Sequence, residues 1–462
     1  MELDPLFLSR IQFAFTITFH IIFPTISIGL GMFLTLIEGL WLWTKNDIYL
    51  RIYRFWVVIF GMGFGVGVVT GIVLSFQFGT NFATFAKLAG PVIGPLIGLE
   101  VLTAFFLEAG FLGIMLFGMK RVTPRVHFIA TFMVALGTTI SASWIMAANS
   151  WMQTPVGIEV VDGHYVVTSW LDVIFNPSYL HRLPHMLLAA YITASLLVAG
   201  VGGWYLLKGV HQEFARKTLS IGTGLLSVFI ALQMYIGDVT ALKMIPYQPS
   251  KFQALEGYWE TTRSAPYLLF IIPDQEAQTN HVQVGIPYLG SLFITHTLDG
   301  PVPGLKETPR ELQPPMGPVF YSFRLMFLLG LTMFTLACIS IILRWRGRLF
   351  TSRRFHKFVV VLSPLGVVAT VAGWYTAEIG RQPWTIFGYL KTADSVSPVS
   401  GASVLTSLVL FCVVYSIFMV AFLSFTFRQI KNGPEPSPQG STTGGISTPV
   451  PVEETSTRGE QP

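Results

Sequence analysis

A chain of 462 residues with a mean hydropathy of +0.60 and only 11% charged residues lies far below the roughly 25% charge of soluble domains. The net charge of +5 comes from basic residues set in short loops between apolar runs, which points to a polytopic membrane protein and not to a nucleic-acid partner. The two cysteines, Cys338 and Cys412, both fall inside apolar runs, which argues against a disulfide framework or a thiolate metal site.

An all-α fold of about nine transmembrane helices is predicted. The spans fall at about 14–43, 54–78, 95–118, 126–148, 185–207, 218–237, 318–343, 357–379 and 403–427, each an apolar run of bilayer-crossing length. Before the first span stand Glu2, Asp4 and Arg10 without a short apolar core and cleavage site, so that span is expected to act as its own insertion signal. One set of loops gathers the basic residues: Lys45, Arg51 and Arg54, then Lys120, Arg121 and Arg125, then Lys208, Arg216 and Lys217, then the run from Arg344 to Lys357, and finally Arg428 and Lys431. The positive-inside rule then predicts an outer N-terminus and a cytoplasmic C-terminus. Residues 149–184 form an outer connection rich in aromatics, with Trp151, Tyr165 and Trp170, and a proline-rich outer loop runs over about 238–317. A loop of that length is usually functional. The membrane domain is expected over 1–431, and the Pro, Ser, Thr, Gly and Glu-rich stretch 432–462 is expected to be a disordered cytoplasmic tail. No internal repeat is visible, which weighs against an inverted-repeat transporter.

Within or at the ends of the spans stand His20, Glu38, Glu100, Glu108, His127, His185, Arg324 and Glu378, and ionisable groups at membrane depth are functional candidates. Orientation puts His20, Glu100, His185, Arg324, Met326 and Glu378 all in the outer part of the membrane. Glu108 lies about 12 Å deeper than Glu100 at ~1.5 Å per residue and about 80° away around the helix. With Ser141 on the next span, the two acids suit either proton transfer or a pair of neutral, hydrogen-bonded side chains. His185 and Met326, at similar depth on different spans, offer a His–Met pair for haem iron; each is also compatible with ordinary packing. Arg324 can reach haem propionates or snorkel to headgroups. Trp374, Glu378 and Arg381 share one helix face at i, i+4 and i+7, and Pro383 ends that helix. That stripe fits a cofactor site or an interfacial anchor with a salt bridge. Lys251 to Glu260 mixes charge with aromatics, a pattern for quinol binding and proton acceptance or for a solvated amphipathic helix.

Seven ordered stretches together resemble subunit I of cytochrome bd-type quinol oxidases, from about residue 8 to 428. They are Ser9-Arg-Ile-Gln-Phe-Ala-Phe-Thr16 leading to His20; Gly90-Pro through Glu100 to Phe105-Phe-Leu-Glu108; Ala148-Asn-Ser-Trp-Met-Gln-Thr-Pro-Val-Gly157; and Leu183-Pro-His185. The remaining three are Phe252-Gln-Ala-Leu-Glu256 with Trp259-Glu260; Ser322-Phe-Arg-Leu-Met326; and Gly373 to Trp384, followed by Thr392-Ala-Asp394. The outer loop lacks a large hydrophilic insertion and resembles the short-loop branch, which includes cyanide-insensitive oxidases.

The resemblance implies a bacterial-type cytoplasmic-membrane enzyme that oxidises ubiquinol or menaquinol at its outer face and reduces O2 to water. His185 and Met326 match the axial ligands of a low-spin haem b, with Arg324 beside it. His20 and Glu378 match ligands of two high-spin haems, with Glu100 at the same site. One of these is a second haem b and the other is haem d or a haem b in its place. Trp374 and Arg381 match residues packed around that site, Lys251 and Glu256 the quinol-binding pair, and Glu108 and Ser141 positions on a cytoplasmic proton route. A second polytopic subunit, small single-span subunits and membrane lipid are the implied partners. Two rival readings are a transporter with intramembrane acids and a quinol:acceptor cytochrome b. The second needs paired histidines on two spans, and His20, His127 and His185 do not supply such pairs.

Overall fold

The computed structural model describes residues 4–435. Nearly all of the expected tail, from 436 onward, lies outside the described residues. In chain order the elements are α1 (Pro5–Thr44), α2 (Asp47–Thr80), α3 (Ala83–Glu100), a π-helical segment (Val101–Phe105), α4 (Phe106–Phe117) and α5 (Pro124–Gln153). There follow β1 (Ile158–Val161), β2 (His164–Val167), α6 (Trp170–Ile174), α7 (Tyr179–Lys208), α8 (Gln212–Tyr247) and α9 (Pro249–Glu256). The second half holds β3 (Tyr267–Asp274), β4 (Thr279–Ile286), α10 (Leu289–Thr295), α11 (Met316–Trp345), α12 (Arg353–Leu362), α13 (Leu365–Ile379), β5 (Trp384–Ile386), β6 (Leu390–Lys391) and α14 (Gly401–Asn432). Among the described residues, nine helical spans are long and apolar enough to cross a membrane, one for each apolar run in the sequence.

Local chemistry sets the helix ends. The Asp4 carboxylate accepts from the Leu6 amide at 2.9 Å, just ahead of Pro5, a proline placement that costs no hydrogen bond at a first turn. Asn46 caps α2 through the Ile48 amide at 3.0 Å. The helices run beyond the apolar runs at most ends. Their terminal turns are polar, and a hydropathy window does not register polar turns.

Two four-helix groups hold the chain together. α7, α8, α11 and α13 pack in a closed ring in that order, so α7 and α11 stand at diagonal corners. α1, α2, α3–α4 and α5 form the second ring, which meets the first where α7 packs on α1 and α5. Helices α1 and α7 are the most enclosed spans and α14, lying on α1 and α2, the most peripheral. The large buried side chains Phe23, Phe33, Phe55, Phe60 and Phe214 fill the seam around α1 and α2.

The long segments between spans are folded. β1 and β2 pair antiparallel across Asp162 and Gly163, both at positive φ (50° and 76°), the two-residue turn that suits right-twisted strands. In place of the structureless loop that length suggests, the segment after α8 folds into α9, the antiparallel β3–β4 hairpin and α10. It has an apolar core in which Phe252, Leu255, Leu268, Ile271 and Phe320 are at most 1% exposed.

Candidate functional site

Glu378, near the end of α13, is the centre of a polar network that joins one end of both helix groups. Its Oε2 lies 2.5 Å from Arg381 Nη2. Its Oε1 accepts from Asn149 Nδ2 at 3.0 Å and Gln153 Nε2 at 3.2 Å. Asn149 and Gln153 lie one turn apart at the end of α5, on one face. Asn149 Oδ1 accepts in turn from Arg182 Nη2 at 2.6 Å, and Gln153 Oε1 accepts from Gln248 Nε2 at 2.8 Å and from Lys251 Nζ. Three basic side chains, Arg182, Lys251 and Arg381, thus surround one carboxylate. Arg381 is 7% exposed, and its Nε and Nη1 are buried without a protein partner. Desolvation, reinforced by Arg182 and Arg381 and opposed by Glu378, holds the Lys251 ammonium well below its usual pKa. Trp374, half-buried, stands one turn before Glu378 on α13.

Beside this network a second one is anchored on Arg324. Its Nη2 lies 3.2 Å from Glu256 Oε2, its Nε donates to the Leu268 carbonyl at 2.5 Å, and both paired side chains are nearly sealed, at 3% and 6% exposure. The guanidinium sits over the rings of Tyr267, Phe320 and Phe323 at 4.3, 4.5 and 5.2 Å. Arg324 therefore does not snorkel, because it is spent on an internal ion pair. Nor is α9 a solvated amphipathic helix: every residue from Ser250 to Glu256 is buried. Lys251 and Glu256, five residues apart on α9, face different networks, and the short helix links the Glu378 cluster to Arg324.

His185 and Met326 lie on the diagonal helices α7 and α11. His185 Nδ1 is buried without a partner, and the ring lies against Gly237 of α8. A Cβ at Gly373 of α13 would stand 2.7 Å from Met326 Sδ, so only glycine there leaves the thioether its place. In the other helix group, His20 Nδ1 is 2.9 Å from Thr70 Oγ1 on α2, and its ring rests on Gly71.

The two acids on α3–α4 are not splayed by 80°. The π-helical turn at Val101–Phe105 takes up one extra residue without advancing the helix face, so eight residues act as about seven α-helical steps, a rotation of only ~20°. Both carboxylates consequently face α5. Ser141 Oγ donates to Glu100 Oε1 at 2.8 Å, and one turn earlier Gly137 gives room to Glu108, whose Cγ would lie 2.5 Å from a Cβ there.

Sequence reasoning did not single out Arg182, Asn149, Gln153 or Gln248 as site residues. The spacing of Asn149 and Gln153 at i and i+4, and Arg182 within one turn of His185, were the available signals.

Comparison with known proteins gives a consistent result. The family model described as cytochrome bd terminal oxidase subunit I matches residues 8–434. The chain is similar to cytochrome bd ubiquinol oxidase subunit 1 of Bacillus subtilis, 34% identical with 94% of this chain and 95% of the relative covered. It is also similar to cytochrome bd-II ubiquinol oxidase subunit 1 of Escherichia coli, 31% identical with 93% and 97% covered. Its fold matches the solved structure of the bd oxidase from Geobacillus thermodenitrificans, with a TM-score of 0.87, 32% identity and coverage of 94% of this chain and 99% of that one.

Proposed function

We propose, on the premise that this chain belongs to the cytochrome bd terminal oxidase subunit I family, that it bears the haems of a quinol oxidase and generates proton-motive force without pumping. One observation carries the reading. Three basic side chains, Arg182, Lys251 and the buried Arg381, surround a single carboxylate, with Arg381 Nε and Nη1 and, nearby, Arg324 Nη1 buried without protein partners. Buried charge without compensation is costly, so this end of the molecule fits a group that brings its own carboxylates, as haem does with its propionates. The nearby imidazole, thioether and carboxylate side chains are suitable iron ligands. When bound, haem supplies reversible one-electron iron chemistry and, where a coordination position is open, a place for oxygen to be reduced.

His185 on α7 and Met326 on α11 would hold the low-spin haem b, a pairing that raises its potential, and Arg324 fixes the outer loop. His20 and Glu378, with Glu100 beside them, would hold the two high-spin haems: a second haem b, and haem d or a haem b in its place. Trp374 and Arg381 would line that site. Lys251 and Glu256 bind ubiquinol or menaquinol at the outer face. The depressed pKa of Lys251 makes its amine available as a proton acceptor. Glu108, Ser141 and Glu100, aligned by the π-helical turn, hold protons drawn from the cytoplasmic side. A second polytopic subunit, small single-span subunits and lipid complete the assembly in a bacterial-type cytoplasmic membrane, with the N-terminus outside.

Protons released outside and consumed from inside move one charge per electron. The complete oxidase in sealed vesicles, driven by quinol, is expected to build a membrane potential at that ratio. Turnover of quinol and oxygen without a potential, or with more than one charge per electron, would refute the reading.

A further inference from the structure

One buried acid–base pair takes no part in the functions described so far. Glu38 on α1 and His127 on α5 meet near the end of the membrane opposite the Glu378 network. Glu38 Oε1 lies 2.6 Å from His127 Nδ1, and the two side chains are 0% and 2% exposed. Each keeps its second polar atom, Glu38 Oε2 and His127 Nε2, buried and without a partner. A pair that only stapled α1 to α5 would gain by satisfying or deleting those atoms, since an orphaned buried polar atom is a standing cost. The neighbours are polar as well. The Tyr53 ring of α2 meets His127 edge-on with centroids 5.7 Å apart, and its hydroxyl lies 2.8 Å from Thr131 Oγ1, one turn along α5 from His127.

Helix α5 carries this cluster toward the acid row. His127, Thr131, Thr138 and Ser141 fall within a sector of about 80° at 3.6 residues per turn, so they form one stripe along the helix. Ser141 ends that stripe on Glu100, and Glu108 lies against Gly137 of the same helix.

We propose that the Glu38–His127 pair is a proton-relay site, which takes protons from the inner face and passes them along the α5 stripe to Glu108 and Glu100. This rests on the reading above that oxygen reduction draws its protons from that side. In low dielectric the pair is most stable with zero net charge, which is the state that holds one proton between carboxylate and imidazole. A proton accepted at one orphaned atom is matched by another leaving from the far atom, with the hydrogen bond between Oε1 and Nδ1 coupling the two groups. The pair keeps its starting charge, rotation of the carboxyl and the imidazole returns the protons to their starting atoms, and no other reactant is needed. Transfer between the hydroxyls of Thr131, Thr138 and Ser141, which stand about one to two turns apart on α5, requires intervening water.

The test uses the complete oxidase in vesicles, with Glu38→Gln and with the double variant Glu38→Leu/His127→Phe. Haem spectra, quinol-driven oxygen consumption in H2O and D2O, and membrane potential are recorded. Both variants are expected to keep wild-type spectra, to turn over at least about tenfold more slowly, and to show a larger solvent isotope effect. A structural pair predicts the reverse, because well-packed apolar replacements of a buried pair are tolerated. A double variant with normal turnover and isotope effect therefore overturns the relay. Should the double variant lose its haem spectra, Glu38→Gln decides alone: it keeps an oxygen for His127 Nδ1 but cannot take a proton, so normal turnover in it overturns the relay too. Wild-type enzyme that builds no potential would instead refute the reading of proton uptake from inside, independently of either variant.

Discussion

Glu256→Leu separates the structural from the chemical contribution of the folded segment after α8. The substitution leaves the Arg324 guanidinium at 3% exposure without its carboxylate. Removing one partner of a buried ion pair costs about 3–5 kcal/mol. The Leu268 carbonyl and the rings of Tyr267, Phe320 and Phe323 still face the cation, so the low end, about 3 kcal/mol, is expected, or roughly a hundredfold in a local opening equilibrium. That loss falls on α9 and the β3–β4 hairpin, not on the transmembrane rings. Hydrogen exchange should accelerate about a hundredfold over residues 252–271 while amides in α1 and α7 keep their protection. The double variant Glu256→Leu/Arg324→Met replaces the pair with apolar groups and should recover most of the protection. Quinol oxidation should stay lost in both. Unchanged exchange over 252–271 in Glu256→Leu would refute the assignment of this ion pair as the anchor of that segment.

Two further outcomes follow from the site geometry. His185→Ala should abolish the low-spin haem b absorption while the chain still inserts, and an unchanged reduced-minus-oxidised spectrum would remove His185 from the ligand set. Lys251 has a folded-state pKa well below its unfolded value, chiefly through burial, so the unfolded chain binds the extra proton and stability rises with pH until the unfolded pKa near ~10.4 is passed. Between pH 7 and 9.5 the melting temperature of the wild-type complex should therefore climb more steeply than that of Lys251→Met, and parallel slopes would contradict a depressed lysine there.

The spans were legible because lipid imposes a simple rule, long apolar helices with every backbone group satisfied internally, and each of the nine apolar runs corresponds to a helical span among the described residues. The same rule hid the centre of the site. Asn149 and Gln153 extend α5 past its apolar run, Arg182 precedes the run of α7, and Lys251 follows that of α8, so hydropathy stops where the Glu378 network begins. A polar residue at a span's end reads alike as loop, anchor or ligand holder; only the meeting of four such ends in space tells them apart. Glu378 and Arg381 show the point: their spacing allowed an anchor or a cofactor site, and it is Arg182 and Lys251, brought in from other helices, that make them part of a network and not an isolated ion pair. The orientation of Glu108 was hidden for a different reason. A π-helical turn adds a backbone residue without any marker in side-chain type, and regular 3.6-residue counting through Val101–Phe105 carries the error to every residue beyond it. Intramembrane acids should accordingly be assigned to a face only after the hydrogen-bond register between them is known, and in this chain that register is what aligns Glu100 and Glu108 on Ser141 and Gly137 of a single neighbouring helix.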